Sequence, residues 1–276
     1  MLNIGQFNRL SVSHLADAGV YLDGGRYGDI LLPRRYVPKQ CQAEDELEVF
    51  IYLDSEDRLI ATTERPLLQV GEAAYLKAVD NTRHGAFFDW GLSKDLLVPY
   101  NEQDRPVEVG KSYVVHAFLD ERTESIVGTT RLAHHLNEFS YYFKQGQPVN
   151  LLIYARAELG YRAVVNQTHL GLLYNSEVFQ ALRIGEQVQG YIQQIRPDRK
   201  IDLTLRKPGA VVEDALAQQI IEHLKQRGGS SNFTDKTPPE QIYAEFKVSK
   251  AHFKRALGLL YKQKLIILAP DKITLV

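Results

Sequence analysis

Aromatic side chains are concentrated at residues 83–100, which read RHGAFFDWGLSKDLLVPY. Neighbouring residues of an extended strand face opposite sides, so Phe88 and Trp90 would share one face. Phe87 would lie on the other face with Asp89, and because aspartate is seldom buried without a partner, that face is expected to meet water. An exposed ring on a small β-barrel is a surface on which a nucleic-acid base can stack, worth ~1–3 kcal/mol per base. The pattern therefore predicts Phe88 and Trp90 in a core and Phe87 exposed on the outer face of the strand.

The same alternation occurs near the start of the chain, in AGVYLDGGRYGDILLP at residues 18–33. Tyr21 and Asp23 would share the outer face there, which leaves Val20 and Leu22 inward. For the outer aromatic residues the alternative is packing between neighbouring domains, so base stacking and domain packing both stay open at this stage.

Positive charge is concentrated near the C-terminus, although the whole chain has a formal net charge of −1. Residues 247–264 contain six basic residues and no acidic one. With helical spacing, Lys250 and Lys254 share one stripe while Arg255 and Lys262 lie on a neighbouring one. We predict that these four cations contact phosphates. The alternative is a solvated helix face, which is the usual position of such charge runs.

Enzyme chemistry has little support in the sequence. His135 and Glu138 have a spacing compatible with a metal pair, but two ligands do not make a site. GGRYG at 24–28 lacks the lysine of a phosphate-binding loop and fits a hairpin turn. The single cysteine, Cys41, excludes an intrachain disulfide and a thiolate zinc site. We therefore expect no catalytic residue, no metal and no cofactor.

The composition, with 44% hydrophobic and 24% charged residues, is that of a globular protein. No apolar run approaches the ~18 residues needed to cross a bilayer. The N-terminal sequence MLNIGQFNRLSVSH lacks the pattern of a signal peptide. We expect a cytoplasmic protein with no membrane partner.

Internal repeats organise most of the chain. Short β-rich stretches open six times, five times with a glycine: IGQFNRLSV, AEDELEVFIY, VGEAAYLKAV, VGKSYVVHAF, QGQPVNLLIY and IGEQVQGYIQ. Two openings per unit give three units, each with a central strand-turn-strand and a charged turn before a last short strand. Five short strands in about sixty residues are typical of an OB-fold barrel. We predict barrels at residues 1–64, 65–138 and 139–208.

The remaining residues, 209–276, have a different pattern. Apolar residues recur with helical spacing at 212–227 and a Gly-Gly-Ser-Ser loop follows, after which Thr237 is expected to cap a second helix. Ser249 is expected to cap a third helix, and LIILAP with ITLV predicts a terminal hairpin. The predicted fold class is mainly β with a C-terminal α+β module: three tandem five-stranded OB barrels and a winged helix.

Three short motifs carry a family resemblance. GVYLD at 19–23, GAFFD at 85–89 and GLLYNSE at 171–177 resemble the G-A-F-V-D and G-L-V-H-x-S-E motifs of the S1 RNA-binding domain, which is an OB-fold. Their order in three consecutive units, followed by a winged helix with SKAHFKRALGLLYK, resembles the conserved virulence factor B family over essentially the whole chain. The resemblance implies a bacterial protein that binds RNA and influences the expression of other genes. It also implies that the third S1 unit and the winged helix contact the RNA.

S1 domains typically bind RNA through aromatic residues of the second strand, a histidine of the third strand, and an Asp and an Arg around the last turn. The resemblance therefore implies RNA-binding residues in each unit, although no unit has the full set. They are Tyr21, Asp54 and Arg58 in the first unit, His84 and Phe87 in the second, and Tyr161, Arg162, Tyr174, Arg196 and Lys200 in the third. The third unit is the most basic of the three and is expected to be the strongest binder, with the first two partly structural.

The resulting hypothesis is a non-catalytic protein that binds single-stranded RNA along the third barrel and the winged helix. Stacking and phosphate contacts would supply the affinity, with little base-specific readout, and the protein would regulate gene expression post-transcriptionally or in translation. The alternative is a scaffold that binds ribosomal, transcription or other RNA-associated proteins. Sequence-specific DNA binding is disfavoured, because one winged helix without an evident dimerisation segment has limited specificity.

Overall fold

The computed structural model describes residues 2–178, 181–205 and 212–276. Within these ranges, three five-stranded β units are followed by three helices and a small sheet. The predicted boundary between the third unit and the C-terminal domain, at 208–209, lies outside the described residues.

The first unit is a closed barrel. Its strands are β1 (Phe7–Ala16), β2 (Gly19–Asp23), β3 (Asp29–Pro33), β4 (Glu46–Leu53) and β5 (Leu59–Thr62). Around the barrel they follow the order β1-β2-β3-β5-β4. β3 and β5 pair in parallel at Leu31 and Ile60, and the other pairs are antiparallel. This is the five-stranded OB barrel that the sequence predicts.

The second and third units have the same strand sequence but differ in closure. The second contains β6 (Ala73–Thr82), β7 (Gly85–Asp89), β8 (Leu96–Pro99), β9 (Ser112–Asp120) and β10 (Ser125–Thr129). The third contains β11 (Pro148–Ala157), β12 (Gly160–Val165), β13 (His169–Tyr174), β14 (Gln187–Ile195) and β15 (Ile201–Thr204). The third unit closes as the first does, whereas the second is an open sheet in which β8 and β10 lie side by side without a hydrogen-bonded ladder.

A residue with left-handed backbone precedes the first and fourth strands of every unit, and this explains the repeated glycine. Five of these residues have φ between 77° and 93°: Gly5, Gly71, Gly110, Gly146 and Gly185. Glycine adopts this conformation without steric cost. The one opening without a glycine has Glu44 in the same conformation, with φ 72°. The degenerate repeat therefore keeps the backbone turn of the other five.

Alternation along the second strand of each barrel determines which side chains are core. The residues predicted to face inward are at most 3% exposed: Val20, Leu22, Phe88 and Trp90. Tyr21 and Phe87, which were expected on the outer face, are half-buried. The predicted core assignment is confirmed, and the outer rings are less exposed than expected.

Trp90 belongs to a core that the first two units share. Its ring packs edge-on against Phe50 of β4, with ring centroids 5.8 Å apart, and its indole N–H donates to the Lys94 carbonyl oxygen. Phe50 packs edge-on in turn against Phe7 of β1. Because buried aromatic rings contribute large apolar areas, this cluster fixes the first barrel against the second.

Polar and apolar contacts together join the second unit to the third. The Gln167 side chain accepts from the Ala73 backbone N–H at 2.8 Å and donates to the Ala73 carbonyl oxygen at 3.2 Å. An apolar cluster around this pair includes Val114 of the second unit with Leu152 and Val164 of the third. The outer face of β12 is therefore partly buried against the second unit at Val164.

The C-terminal domain is a winged helix. Its elements are α1 (Val212–Gln226), β16 (Ser230–Ser231), α2 (Pro239–Phe246), α3 (Lys250–Lys262), β17 (Ile266–Leu268) and β18 (Ile273–Leu275). The sheet has the order β16-β18-β17. Ile220, Phe253 and Leu260 are fully buried at the centre of its core. The three helices and the terminal hairpin are those predicted.

Two local predictions in this domain are wrong. Ser230 and Ser231 were expected in a loop, but they pair with β18 and add a third strand. Thr237 does not cap α2, because its hydroxyl accepts from the Thr234 N–H at 2.8 Å. Pro238 is the capping residue instead. A residue that precedes a proline is disfavoured in the helical region, so the Pro-Pro pair delays the helix by one position.

His116 of β9 is a titratable group buried near the junction of the second and third units. It is 5% exposed and lies opposite Ala73 in the ladder. Burial, and next the charge of the nearby His135, lowers the pKa of His116 to about 4 against an opposing effect of the Glu72 backbone. His135 itself lies 3.2 Å from the Glu102 carboxylate. Protonation of His116 is therefore unfavourable in the folded chain.

We predict that acid destabilises the protein through His116. Its pKa of about 4 lies below the ordinary value of 6.5, so the unfolded chain binds more protons between these two values. The contribution of neutral His116 to the free energy of unfolding is at its full value above pH ~6.5 and decreases as the pH falls towards ~4. The expected loss is about 2 kcal/mol between pH ~7.5 and ~4.5. Urea unfolding at both pH values should show this loss in the wild type and a smaller loss in His116→Gln.

The control for this measurement is His134→Gln, which removes an exposed histidine directly before His135. It should keep the full acid sensitivity of the wild type. Equal acid sensitivity of the wild type and His116→Gln would contradict the role given to His116.

Candidate nucleic-acid interface

Three of the predicted basic residues lie around one cleft on the third barrel. Arg162 of β12, Arg196 just after β14 and Lys200 just before β15 line a cleft of about 340 Å³. Tyr154 of β11 and Leu172 of β13 complete part of its wall. The strand order β12-β13-β15-β14 brings these residues together although they are distant in the sequence.

The cleft also contains carboxylates. Glu138 and Glu158 line it, and the Lys200 ammonium lies 3.9 Å from the Glu138 carboxylate. Both side chains of this pair are more than 40% exposed, so the pair contributes only about 0–1 kcal/mol and a phosphate can displace it. The lining of the cleft thus has three cations and two carboxylates, and Asp198 and Asp202 lie close to Arg196.

The Arg196 guanidinium is positioned by a buried acid. Asp202 is 1% exposed and accepts from the Gln194 side-chain amide at 2.8 Å. Its other carboxylate oxygen lies 3.5 Å from Arg196 Nε, and Asp198 lies at the same distance from Nε. Neither contact is a hydrogen bond, since Arg196 Nε and this Asp202 oxygen have no hydrogen-bond partner among the described residues. Both acids lie on the Nε side of the guanidinium, which leaves its terminal nitrogens for a ligand.

Tyr154 is a cleft residue that the sequence pattern does not reveal. The pairing of β11 with β12 shifts register between Ile153 and Ala155, which makes Tyr154 the extra residue of a β-bulge. Burial raises the pKa of the Tyr154 hydroxyl, against an opposing effect of the Arg162 guanidinium beside it. The phenol therefore stays protonated at neutral pH and can donate a hydrogen bond in the cleft.

The two other aromatic residues predicted in the third unit lie on different faces. Tyr161 neighbours Arg162 on β12 and so faces the opposite side, where it packs against the barrel core with Arg156 5.7 Å from its ring centroid. Tyr174 lies opposite Gly160 in the β12–β13 ladder, on the same face as Arg162. The structure therefore groups Tyr174 with the cleft residues by face and separates Tyr161 from them.

In the first unit the predicted residues contact one another. The Tyr21 ring stacks on His14, with centroids 4.7 Å apart and planes 15° apart. Asp54 accepts from the backbone N–H and the guanidinium of Arg58 and from the Glu56 N–H. Burial pushes the pKa of Asp54 up, but these hydrogen bonds outweigh it and hold the pKa below its usual range. Asp54 and Arg58 thus stabilise the turn before β5.

The surface around Phe87 in the second unit is acidic. Asp80 lies opposite Phe87 in the ladder, and Asp89 follows two residues later on the same face. Burial, and then the charges of Asp89 and Asp80, raises the pKa of Asp95 nearby. His84 is exposed and accepts from Arg83 Nε at 3.0 Å. Three carboxylates near Phe87 would repel a phosphate backbone.

The turn before the last strand has the same backbone in the first and third units but opposite charge. The same two backbone hydrogen bonds occur within residues 54–58 and within residues 196–200. In each turn the N–H of the first residue donates to the carbonyl oxygen of the fifth, and the N–H of the fourth residue donates to the carbonyl oxygen of the first. The first turn contains Asp54, Glu56, Asp57 and Arg58, whereas the third contains Arg196, Asp198, Arg199 and Lys200. The net charge changes from −2 to +2 on one scaffold, which favours the third unit for an anionic ligand.

The predicted basic residues of the winged helix lie on α3. Lys254, Arg255 and Lys262 are exposed and Lys250 is half-buried at the first turn. Lys254 lies 3.6 Å from the Asp235 carboxylate, an exposed pair of small energetic weight. Ser249 caps the helix as predicted, because its hydroxyl accepts from the His252 N–H at 3.4 Å. The α3 cations are accessible for phosphate contact.

A larger groove of about 850 Å³ lies elsewhere on the third barrel, along β11 and β14. Its polar lining consists of amide side chains: Asn150, Asn166, Gln167, Gln187 and Gln189. It has no charged side chain among its described lining residues, and Gln167 already binds the Ala73 backbone. We therefore place the candidate interface in the smaller, cationic cleft.

His135 and Glu138 do not face each other as a metal pair. His135 binds Glu102, while Glu138 lies beside Lys200. In the part of the chain that the structure describes, no group of three or more His, Cys, Asp or Glu residues could hold a metal ion. The described helices are all too short or too polar to cross a membrane.

Known proteins resemble this chain in sequence and domain content. Family models match at two places: the S1 domain at residues 4–64 and the CvfB-like winged helix domain at residues 218–275. Conserved virulence factor B of Staphylococcus aureus is 28% identical, over 99% of this chain and 94% of its own length. A Bacillus subtilis protein described as uncharacterized protein YitL is 30% identical, over 94% of this chain and 89% of its own length. This chain belongs to the conserved virulence factor B family.

A solved structure is also weakly similar to this chain. A multidomain protein with nucleic acid binding domains from Streptococcus pneumoniae is 22% identical to this chain. The alignment covers 99% of this chain and 98% of that one, with a TM-score of 0.42. In this member of the conserved virulence factor B family, the S1 model matches the first barrel, whereas the cationic cleft lies in the third.

Proposed function

We propose that this chain is a non-catalytic RNA-binding protein that holds single-stranded RNA in the cleft of the third barrel and on α3. The observation that supports this most directly is the convergence of Arg162, Arg196 and Lys200 beside Tyr154 in one cleft. Family membership adds support, because S1 and winged-helix domains are both present.

The chemistry of the cleft fits a phosphate backbone better than a neutral ligand. Each guanidinium can donate two parallel hydrogen bonds to one phosphate, and Lys200 supplies a point charge. Tyr174 on the same face offers a ring for stacking. The exposed cations of α3 would bind further phosphates without reading bases. Such an interface would tolerate many sequences, as expected for a protein that acts on several transcripts.

We further propose that the protein regulates gene expression after transcription, during RNA turnover or translation in the cytoplasm. Relatives named conserved virulence factor B are compatible with this proposal, since a regulator of gene expression can act as a virulence factor. The ribosome and other RNA-associated proteins are proposed partners for this role.

The cleft residues should determine both affinity and salt dependence. Four to six phosphate contacts predict a slope of log K against log salt of about −3 to −4 for a single strand. Arg162→Ala, Arg196→Ala and Lys200→Ala combined should reduce the slope by about 2, because each lost phosphate contact removes ~0.7. Fluorescence anisotropy with an unstructured labelled RNA, titrated at about 50 to about 200 mM salt, measures both quantities.

A matched control removes three cations elsewhere: Arg9→Ala, Lys111→Ala and Arg122→Ala, all at exposed positions of the first two units. It changes the net charge equally and should leave the slope near the wild-type value. A wild-type slope near zero, or identical effects of the two triple variants, would refute a specific role for the cleft.

One observation favours a second function, that of a protein-interaction scaffold. Large apolar side chains at the wing are 42–57% exposed: Tyr261, Leu265, Ile267 and Leu268. β17 is one of the two edge strands of its sheet, so its outer backbone groups are available to another strand. Several large exposed apolar side chains in one small region are characteristic of a protein contact.

The scaffold function predicts that Ile267→Ser with Leu268→Ser reduces co-sedimentation of the protein with purified ribosomes while RNA affinity is unchanged. Thr274→Ala, on the neighbouring β18, is the control for disturbance of the sheet. Unaltered co-sedimentation of the double variant would exclude the wing as the contact.

A further inference from the structure

A second aromatic surface lies beside the cleft, on the segment between β10 and β11. Tyr141 is 79% exposed and Tyr142 is 61% exposed. The Arg199 guanidinium carbon lies 5.1 Å from the centroid of the Tyr141 ring, which is cation–π geometry. The guanidinium covers only one face of the ring, and the high exposure of Tyr141 leaves the other face open to a planar ligand.

This surface is continuous with the cationic cleft. The Ser140 N–H donates to the Arg199 carbonyl oxygen at 3.0 Å, which fixes the segment along the turn before β15. Glu138 lies in the segment and Lys200 lies at the end of the turn, and both line the cleft. The Lys200 ammonium lies 3.9 Å from the Glu138 carboxylate. The turn therefore has the cleft on one side and Tyr141 on the other.

The segment that contains Tyr141 is anchored by residues before and after Tyr141 in the chain. The Tyr142 hydroxyl lies 3.2 Å from His169 Nδ1. Burial lowers the pKa of His169, so the imidazole is neutral at physiological pH and can accept this hydrogen bond. Phe143 is 8% exposed and packs edge-on against the same imidazole. Tyr141 is thus held on an ordered backbone, which reduces the entropy lost when a ligand binds.

Arg199 is not required by the fold of its turn. It has a left-handed backbone with φ 67°, a conformation uncommon for residues other than glycine and asparagine. The equivalent residue of the first barrel is Asp57, with φ 57° and the same backbone hydrogen bonds. The turn therefore accepts either sign of charge. Of these two equivalent residues, Arg199 is the one that lies against an exposed aromatic ring, Tyr141.

We propose that Tyr141 and Arg199 form a stacking site for an unpaired base of a nucleic-acid strand whose phosphates lie in the cleft. The inference rests on the proposed function and extends it: the ligand must have accessible bases, and the barrel gains a contact outside its strands. Arg196, Arg199 and Lys200 are accompanied by Glu138, Asp198 and the buried Asp202. A nucleic acid is favoured over a protein partner because the open face of the Tyr141 ring, held against Arg199, lies beside the cleft that Arg196 and Lys200 line.

The test uses the full chain and two fluorescein-labelled strands of about 12 nucleotides, one of oligo(U) and one with the same backbone but abasic central positions. Tyr141→Ala should weaken binding to oligo(U) by about 5- to 100-fold, because stacking of one base is lost. The same variant should bind the abasic strand as the wild type does. Tyr141→Trp should retain oligo(U) affinity, and Arg199→Asp, which copies the first barrel, should lower it.

Tyr27→Ala is the matched control, since it removes another tyrosine with an arginine over its ring, Arg26 at 4.7 Å, from the first barrel. Unchanged oligo(U) affinity of Tyr141→Ala, with weakened binding by the Arg162, Arg196 and Lys200 variant, would overturn the stacking site and leave the proposed function intact. Equal weakening on both strands would also overturn it, because a stacking contact needs the base. A wild type that binds neither strand would remove the proposed function itself. If Tyr141→Ala keeps its oligo(U) affinity but no longer co-sediments with ribosomes, Tyr141 belongs to a protein contact instead.

Discussion

Burial of one row of side chains along each strand is the constraint on which the rest of this structure depends. Because side chains alternate, the apolar row that fills the barrel core decides which residues reach the outer wall. Leu22 and Phe88 on the inner row thereby place Tyr21 and Phe87 outside, and the same rule turns Arg162 into the cleft and Tyr161 away from it. Core packing one residue away thus decides which strand side chains are available on the outer wall.

A shared backbone with different surface chemistry explains how three similar barrels can have different roles. The first barrel uses Asp54 and Arg58 to stabilise its own turn, and the second surrounds Phe87 with carboxylates. The third keeps the same turn geometry but replaces acids with Arg196 and Arg199. The formal charge of −1 for the whole chain is an average that hides this difference. The first two barrels, joined through Phe50 and Trp90, are better suited to structural support.

Periodicity and turn residues were sufficient to predict the five-stranded units, the winged helix and the buried positions of Val20, Leu22, Phe88 and Trp90. The predictions failed where a local interaction overrides a pattern. Consecutive prolines delayed α2, and pairing with β18 drew Ser230 and Ser231 into the sheet. The missing β8–β10 ladder depends on a backbone pairing between segments far apart in the chain, which periodicity does not encode.

The candidate site could be predicted only in part for a similar reason. The basic turn before β15 and Arg162 were visible as charged residues in the most basic unit. Tyr154 could not be predicted, because a β-bulge changes the direction of its side chain and alternation alone would misplace it. Tyr141 lies in a connecting segment, and its position against Arg199 depends on how that segment packs along the turn.

The most direct test of the account is to crosslink a single-stranded RNA to the full chain with ultraviolet light and identify the crosslinked residues by mass spectrometry. The account predicts crosslinks in the third barrel and its preceding segment, around Tyr141, Tyr154 and Tyr174, together with α3. Crosslinks confined to the first or second barrel would contradict it.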